Sequence, residues 1–497
     1  MIKIQQYVTG FAQSTWSFLI LALIFGAGIG LAISLSGNPL VVTGIILGGL
    51  FAAITIINVE FGFLVLILML YLRISDIGVS VYGLPSLARP FIGLLLAAAI
   101  MRWVVDGALP RGWFRALFIV GLYGIVVLAS LFYAADFSRA TLVLDDFVKD
   151  GIIAVLITML VQHGVTLRRV AWVLILAGIF TGTISVYQFL TGTFDNTYWG
   201  FAEAPVLNII GETENNRIAG MLGSPNYYAQ VLVILVPIAI NQFWDERSII
   251  LKFLAGWSAL VCILSIFFTY SRGGVVALAV TLLAVIIYRR LKLPFLLMVV
   301  LASILVLRFV PNPFFERLQT IPDALTGKIS YVDEISFRGR TSELIVAAQM
   351  FMDHPLIGVG VDNYPVYYQE YSRRVGLDPR SEQRQAHNLF LRTAAETGLA
   401  GIITFGLILW MMIKSVIDAY RHFKQAGMEK YANLVAAFGL SIFGFLSDSM
   451  FTHNAFPRYF WILVGIALAM PQVVKNTGTD YVLNRNSTFA ISSQHDD

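Results

Sequence analysis

The sequence is poor in charged residues and contains almost no cysteine. Only 13% of its 497 residues are charged and 58% are hydrophobic, whereas an ordinary soluble domain is about a quarter charged. This composition excludes an ordinary soluble protein and indicates a chain that lies in lipid. The single cysteine, Cys262, lies inside an apolar run, so the sequence provides neither a disulfide framework nor a cysteine-based metal cluster.

Motifs of metal-dependent enzymes are also missing. The sequence contains no His-Glu-x-x-His, and its outward-facing segments, as assigned below, contain no Asp-x-Asp and no His cluster with Asp or Glu at ligand spacing. We therefore expect no metal and no cofactor. The net charge of +4 does not indicate nucleic-acid binding, because the chain has no basic soluble domain with interleaved aromatic residues.

Long apolar runs dominate the chain. A membrane-spanning helix needs about 20 mostly apolar residues, and the sequence predicts an all-α polytopic membrane protein with about 12–14 transmembrane helices. The first run continues into too many others to be a cleaved signal peptide, so we interpret it as an anchor. The runs lie at 16–36, 39–57, 59–73, 88–105, 115–133, 146–162, 168–190, 225–243, 249–270, 272–288, 293–310, 388–413, 430–451 and 456–472.

The basic residues predict the orientation, because short cytoplasmic loops carry an excess of Lys and Arg. Alternate connections hold nearly all of these residues, which places both termini in the cytoplasm. The long connection 311–387 then lies outside, where its arginines do not count toward the rule. The cytoplasmic residues are Arg102, Arg111, Arg115, Arg168, Arg169, Arg247, Lys252, Arg289, Arg290, Lys292, Lys414, Arg421, Lys424 and Lys430.

Five regions follow from this topology. They are N-terminal transmembrane helices (1–190), central helices with an outer loop at 191–224 (191–310), an outer helical cap (311–387), C-terminal helices (388–473) and a polar, disordered cytoplasmic tail (474–497). The cap is predicted to be folded, because apolar residues recur at helical spacing in 338–353 and a second helix is expected from Asn363 to Val375.

Polar residues converge on the predicted outer face, which is where a membrane protein is expected to carry its function. Arginine presents a planar fork that suits a diphosphate, and histidine titrates near neutrality and can take a proton from a sugar hydroxyl. Together they indicate glycosyl transfer from a lipid diphosphate. The residues are Arg217, Arg272, Arg338, Arg340 and His387.

Each of these residues also has a simpler interpretation. Arg272 is alternatively a membrane anchor, although Gly273-Gly274 after it would let another backbone or a ligand approach closely and would leave room for a head group. Arg338 and Arg340 are alternatively solvated charges, and His387 a structural residue at a helix start; His354, before a proline, is expected to be structural.

The segment from Phe337 to Phe405 resembles the signature region of the O-antigen ligase family. It reads as an arginine, an amphipathic helix, a His-Pro-Leu-x-Gly-x-Gly turn, a His-Asn pair and a Glu-x-Gly-x-x-Gly. The upstream Ser-Arg-Gly-Gly and Arg-x-x-Gly-x-x-x-x-Pro-Asn-x-x-Ala elements also resemble that family, and the resemblance covers roughly 205–415. It implies a helical, GT-C-like membrane bundle with a helical periplasmic cap, commonly with twelve spans.

The resemblance also implies roles for individual residues. His387 corresponds to the catalytic histidine, and Arg217, Arg272 and either Arg338 or Arg340 correspond to the diphosphate-binding arginines. Asn388, Asn226 and Ser271 lie in the same motifs and are expected to support them.

The expected function is transfer of a glycan from an undecaprenyl diphosphate carrier to a hydroxyl of lipid A core, on the periplasmic face of a bacterial inner membrane. We expect inversion at the anomeric carbon and no metal requirement. The main alternative is a polymerase, in which the growing glycan is the acceptor. A polysaccharide transporter and a peptidoglycan-synthesising bundle protein are less favoured, because ionisable residues are rare at mid-span and the His-Asn motif fits the latter poorly.

Overall fold

The computed structural model describes residues 39–107, 112–210, 213–290, 331–376, 383–453 and 457–492. Within these ranges it contains fifteen helices and one two-stranded sheet. The helices are α1 (Pro39–Ile57), α2 (Val59–Tyr71), α3 (Ile74–Tyr82), α4 (Ala88–Asp106), α5 (Trp113–Ser130), α6 (Phe137–Leu160), α7 (Gly164–Thr191), α8 (Pro225–Asp245), α9 (Ile249–Phe268), α10 (Arg272–Arg289), α11 (Tyr331–Asp353), α12 (Tyr364–Val375), α13 (Leu389–Gln425), α14 (Glu429–Asp448) and α15 (Pro457–Ser492).

The prediction of a polytopic helical membrane protein is confirmed. Among the described residues, nine helices are long and apolar enough to cross a membrane, or ten if α2 and α3, which meet at a 51° bend, form one broken span. The predicted runs 16–36 and 293–310 lie outside the described residues. The predicted run 146–162 falls within α6, a longer helix whose N-terminal half carries several charged residues and which is not among the nine.

The core of the bundle lies around α8, which is almost fully enclosed by its neighbours. Small residues allow close packing here, as in other membrane bundles. A Cβ added at Gly444 on α14 would lie 2.6 Å from Thr281 on α10 and 2.8 Å from Val233 on α8. This tight core holds the ends of α8, α10 and α14 together at one membrane face.

The predicted helical cap is present in the described part of 311–387. Helices α11 and α12 pack on each other and on the start of α13, through a cluster that includes Val346, Met350, Tyr364, Tyr368 and Ala395. The predicted second cap helix, Asn363 to Val375, agrees with α12, which begins one residue later.

Two local features differ from the sequence predictions. The outer loop 191–224 contains an antiparallel pair, β1 (Val206–Ile210) and β2 (Thr213–Asn216), so the fold is all-helical apart from this hairpin. The polar segment predicted to be a disordered tail from residue 474 continues α15 as helix to Ser492. Low hydropathy argued against a packed core there, but a helix that satisfies its own backbone hydrogen bonds needs no such core.

Candidate active site

His387 forms a hydrogen-bonded pair with a buried carboxylate. Its Nδ1 lies 2.8 Å from Glu343 Oε2, and the Glu343 side chain is only 1% exposed while that of His387 is 34% exposed. Arg384 donates to the other Glu343 oxygen at 3.0 Å. A carboxylate at Nδ1 holds the proton on that nitrogen and leaves Nε2 as the basic atom, so the pair has the form of an oriented general base.

The backbone at His387 is held in an unusual conformation. Its φ is +42°, in the left-handed region that non-glycine residues rarely occupy. The next residue, Asn388, caps α13 by accepting from the Leu391 N–H at 2.9 Å, and it donates to the Met450 carbonyl at 3.1 Å. Asn388 thus fixes the chain on which His387 is mounted, and its supporting role in the reaction stays a prediction.

Arg217 is buried without a contacting carboxylate among the described residues. Its Nε donates to the Thr269 carbonyl at 2.8 Å and its Nη2 to Asn226 Oδ1 at 3.1 Å. Both partners are neutral. Burial, with Arg340 and Arg272 nearby, lowers the pKa of Arg217 to about 10. Arg217 is thus a buried cation with two neutral hydrogen-bond partners and with Arg272 and Arg340 nearby, an arrangement that favours an anionic ligand.

Arg340 belongs to an arginine cluster (Arg217, Arg272 and Arg340) and also lies near the hydrogen-bonded pair of His387 and Glu343. Burial lowers the pKa of Arg340, and nearby Glu343 and Asp448 act against that change. Glu343 is also the partner of His387. Arg340 therefore lies near both Arg217 and the Glu343 partner of His387. The side chain of Arg338 lies outside the described part of the chain.

Arg272 is the first residue of α10, as predicted, and Ser271 caps this helix by accepting from the Gly274 N–H at 3.2 Å. The interpretation of the two glycines was wrong. A Cβ at Gly273 would lie 2.8 Å from Phe451, and one at Gly274 would lie 2.5 Å from Ala229. These glycines allow close packing of protein elements and do not leave space for a ligand.

The His-Pro-Leu-x-Gly-x-Gly turn docks into a break in α13. Gly398 has φ +60° and ψ −156°, a conformation essentially confined to glycine, and it interrupts the helix. The freed carbonyls of Ala395 and Glu396 accept from the N–H groups of Val359 and Gly360, both at 2.9 Å. The turn and the Glu-x-Gly motif are therefore one structural unit, which fixes the cap on the membrane bundle.

We expect Gly398→Ala to lower thermal stability strongly, because the left-handed conformation costs a side chain about 1–3 kcal/mol and the new Cβ would lie 2.5 Å from Ile357 N. Thermal unfolding of detergent-solubilised protein measures the effect. Gly406→Ala is the matched control on the same helix, since a Cβ there meets nothing within 4 Å. Equal melting temperatures for the two variants would contradict this account of the turn.

A second polar group lies beside His387. Arg392 on α13 contacts Asp362 at 2.6 Å and Glu396 at 2.9 Å. The His453 ring lies 5.7 Å from the His387 ring, edge to face, and Tyr227 Oη lies 2.6 Å from His453 Nδ1. Burial, followed by Arg392 and His387, lowers the pKa of His453 to about 2, so this ring is neutral at physiological pH.

Several of these residues were not predicted from the sequence to belong to the site. Glu343 occurs in a helical stretch where a carboxylate is usually solvent-facing. Its position three residues after Arg340, on the same helix face, was the available signal. Arg392 and Glu396 form an i,i+4 pair that the sequence does offer, whereas Asp362 is thirty residues from Arg392, so no local pattern joins those two.

Among the described residues, no group of three or more His, Cys, Asp or Glu side chains is arranged to hold a metal ion. The cap carboxylates that a cation on this face would meet first are Asp333, Glu334 and Asp362. Asp362 contacts Arg392 at 2.6 Å and Arg139 at 3.6 Å, so its charge is directed to arginines. The side chains of Asp333 and Glu334 lie outside the described part.

Comparison with protein families matches residues 257–406 to the family described as O-antigen ligase. The matched segment runs from α9 to α13 and includes Arg272, Arg340, Glu343 and His387. The resemblance inferred from the sequence motifs is therefore confirmed over this segment. None of the curated proteins matches the chain.

Proposed function

We propose that this membrane protein transfers a glycan from a polyprenyl diphosphate carrier, of the undecaprenyl type, to an acceptor hydroxyl on the periplasmic face of a bacterial inner membrane. The observation that carries the proposal is the pairing of His387 with the buried Glu343, next to a cluster of arginines. A diphosphate leaving group needs cations, and a hydroxyl nucleophile needs a base. Here the arginine cluster and the histidine lie close together, because Arg340 lies near Glu343, the partner of His387.

The arginine cluster would hold the diphosphate. Arg217 already uses Nε and Nη2 to bind neutral protein groups, which orients its guanidinium without neutralising it. Positive charge that is preorganised in a poorly solvated site stabilises the charge that develops on a leaving group. The cluster therefore favours departure of the carrier diphosphate over simple binding of a lipid head group.

His387 would remove the acceptor proton. Glu343 keeps the proton on Nδ1 and stabilises the imidazolium as it forms, while Nε2 receives the proton of the attacking hydroxyl. The acceptor oxygen forms its bond to the anomeric carbon as the bond to the diphosphate breaks. A single displacement of this kind inverts the anomeric centre.

The test is glycan transfer by purified protein in detergent, with a labelled glycan on undecaprenyl diphosphate and rough lipopolysaccharide, which carries core sugars and lacks a long glycan. We expect transfer with inverted stereochemistry, and undiminished rates in excess EDTA, since arginines supply the positive charge. Activity that EDTA removes and magnesium restores would refute the metal-independent mechanism. No transfer, and no release of glycan from the carrier, would refute the proposed function.

Two acceptors fit this chemistry. Lipid A core defines a ligase, and the growing glycan defines a polymerase. Glycan profiling of a deletion strain separates them, because long chains accumulate on the carrier when a ligase is lost and single units accumulate when a polymerase is lost.

A further inference from the structure

A cavity of about 320 Å³ lies between α5, α6, α13 and α15, beside the hydrogen-bonded pair of His387 and Glu343. Aromatic rings form one wall, and each is within about 6.5 Å of another ring of the set. The rest of the lining forms a polar wall, which contains carboxylates, an arginine, threonines and a histidine. The rings are Tyr123, Phe147, Phe405, Phe460 and Trp461.

The polar wall contains one side chain whose hydrogen-bonding capacity is unused. Gln385 Oε1 is buried and has no hydrogen-bond partner among the described residues. A buried amide oxygen without a partner is costly, so such an atom in a cavity wall indicates a place for a donor from a ligand. Asp362, which also lines the cavity, has φ +54°. Strained residues of this kind concentrate at binding sites.

The cavity and the arginine cluster adjoin His387 through different residues. Gln385 and His453 line the cavity, and they flank His387 in sequence and in space, respectively. None of Arg217, Arg272 and Arg340 lines it. The cluster instead reaches the histidine through Glu343. His387 thus adjoins the arginine cluster through Glu343, and it adjoins a cavity lined by aromatic rings and carboxylates through Gln385 and His453.

We propose that this cavity binds the sugar that carries the acceptor hydroxyl. The inference rests on the proposed function. In a single displacement the nucleophile approaches the anomeric carbon from the face opposite the leaving group, so the acceptor needs a site separate from the diphosphate site and adjacent to the base. The cavity is such a site.

The lining favours a saccharide over the other components of the reaction. A pyranose has an apolar C–H face, which suits aromatic rings, and a hydroxyl edge, which suits Gln385 Oε1 and the carboxylates. Arg392 is paired with Asp362 and Glu396 and does not offer a free cation to a diphosphate. A polyprenyl chain better suits the separate apolar groove lined by Leu96, Trp103 and Val148, among others.

Two variants test the assignment. Gln385→Ala removes the unused acceptor atom, and Val143→Trp fills the cavity from α6. Leu142→Trp is the matched control, because Leu142 lies on the same helix, is 69% exposed and lines neither the cavity nor the apolar groove. The probes are a labelled oligosaccharide on undecaprenyl diphosphate as donor and rough lipopolysaccharide as acceptor. Two rates are measured, namely transfer to the acceptor and slow release of glycan to water without acceptor.

We expect Gln385→Ala to raise the KM for rough lipopolysaccharide by about threefold to tenfold, the effect of one hydrogen bond, with the release of glycan to water unchanged. Val143→Trp should abolish transfer and retain release, and Leu142→Trp should retain both. Unchanged transfer in both cavity variants would overturn the assignment. Loss of release together with transfer would also overturn it, because the cavity would then hold the donor. A wild-type protein that neither releases nor transfers glycan would overturn the proposed function itself, and this inference with it.

Discussion

Replacing His387 with Asn should lower the rate of glycan transfer by about 10²–10⁴-fold, the usual contribution of a general base. Asn is the appropriate replacement because it tolerates the left-handed backbone of this residue better than Ala does. Transfer is measured with purified protein at saturating donor. Binding of the carrier should persist, since the arginine cluster is untouched.

Glu343→Gln tests the pair more finely. The amide preserves the shape and can still accept from His387 Nδ1, but it loses the charge that stabilises the imidazolium. A charge-assisted hydrogen bond is worth about 1.5–3 kcal/mol, so we expect a loss of roughly tenfold to more than a hundredfold. The double variant should be no slower than His387→Asn alone, because the two residues act as a unit.

A histidine far from the site supplies the control. His422 lies exposed near the other end of α13, and His422→Asn should retain full activity. Near-normal transfer by the His387→Asn protein would remove His387 from the chemistry. Equal losses at His387 and His422 would instead indicate a general effect on folding, which thermal unfolding of each variant detects.

The fold followed from the sequence to the extent that lipid imposes it. Apolar runs of spanning length form helices because the backbone must satisfy its own hydrogen bonds in a membrane. The first cap helix was predicted from apolar residues that recur at helical spacing in 338–353, and this stretch lies within α11. The hairpin in 191–224 could not be predicted in this way, because its short, polar second strand (Thr213–Asn216) lacks alternation.

The candidate site could be predicted in part. Its cationic residues and His387 were visible because charge is rare at a membrane face. Glu343 was not, because its importance depends on burial, and burial depends on how α11 packs against α12 and α13. The glycines after Arg272 were misinterpreted for a related reason. A glycine pair permits close approach, but the sequence does not say whether protein or ligand approaches.

Arg217→Lys should impair glycan transfer nearly as strongly as Arg217→Ala. Arg217 must donate to Thr269 and Asn226 and at the same time present charge to the diphosphate. Lysine has the charge but lacks the planar fork that makes such contacts together. Loss of one charge-assisted contact costs about 1.5–3 kcal/mol, which corresponds to roughly tenfold to more than a hundredfold in rate. Turnover at matched protein levels measures both variants.

An exposed cap arginine provides the comparison. Arg374 forms surface ion pairs with Asp353 and Glu370, and its side chain is 53% exposed. Such pairs contribute little, so Arg374→Lys should keep near-normal activity. The same substitution is thus tolerated where only charge is needed and damaging where the fork is needed.

A binding measurement separates a lost phosphate contact from a damaged fold. A ligand that binds only the folded protein stabilises it by RT ln(1 + L/Kd), where L is the free ligand concentration, so at a fixed concentration a tighter ligand raises the melting temperature more. Inorganic pyrophosphate is a probe without lipid or sugar. We expect pyrophosphate to stabilise the wild-type protein and the Arg374→Lys variant, and to stabilise Arg217→Lys much less. Asn226→Ala should fall between them, because it keeps the Arg217 charge and removes one of the contacts that orient it. If Arg217→Lys keeps both its transfer rate and its response to pyrophosphate, Arg217 does not contact the diphosphate through its planar fork.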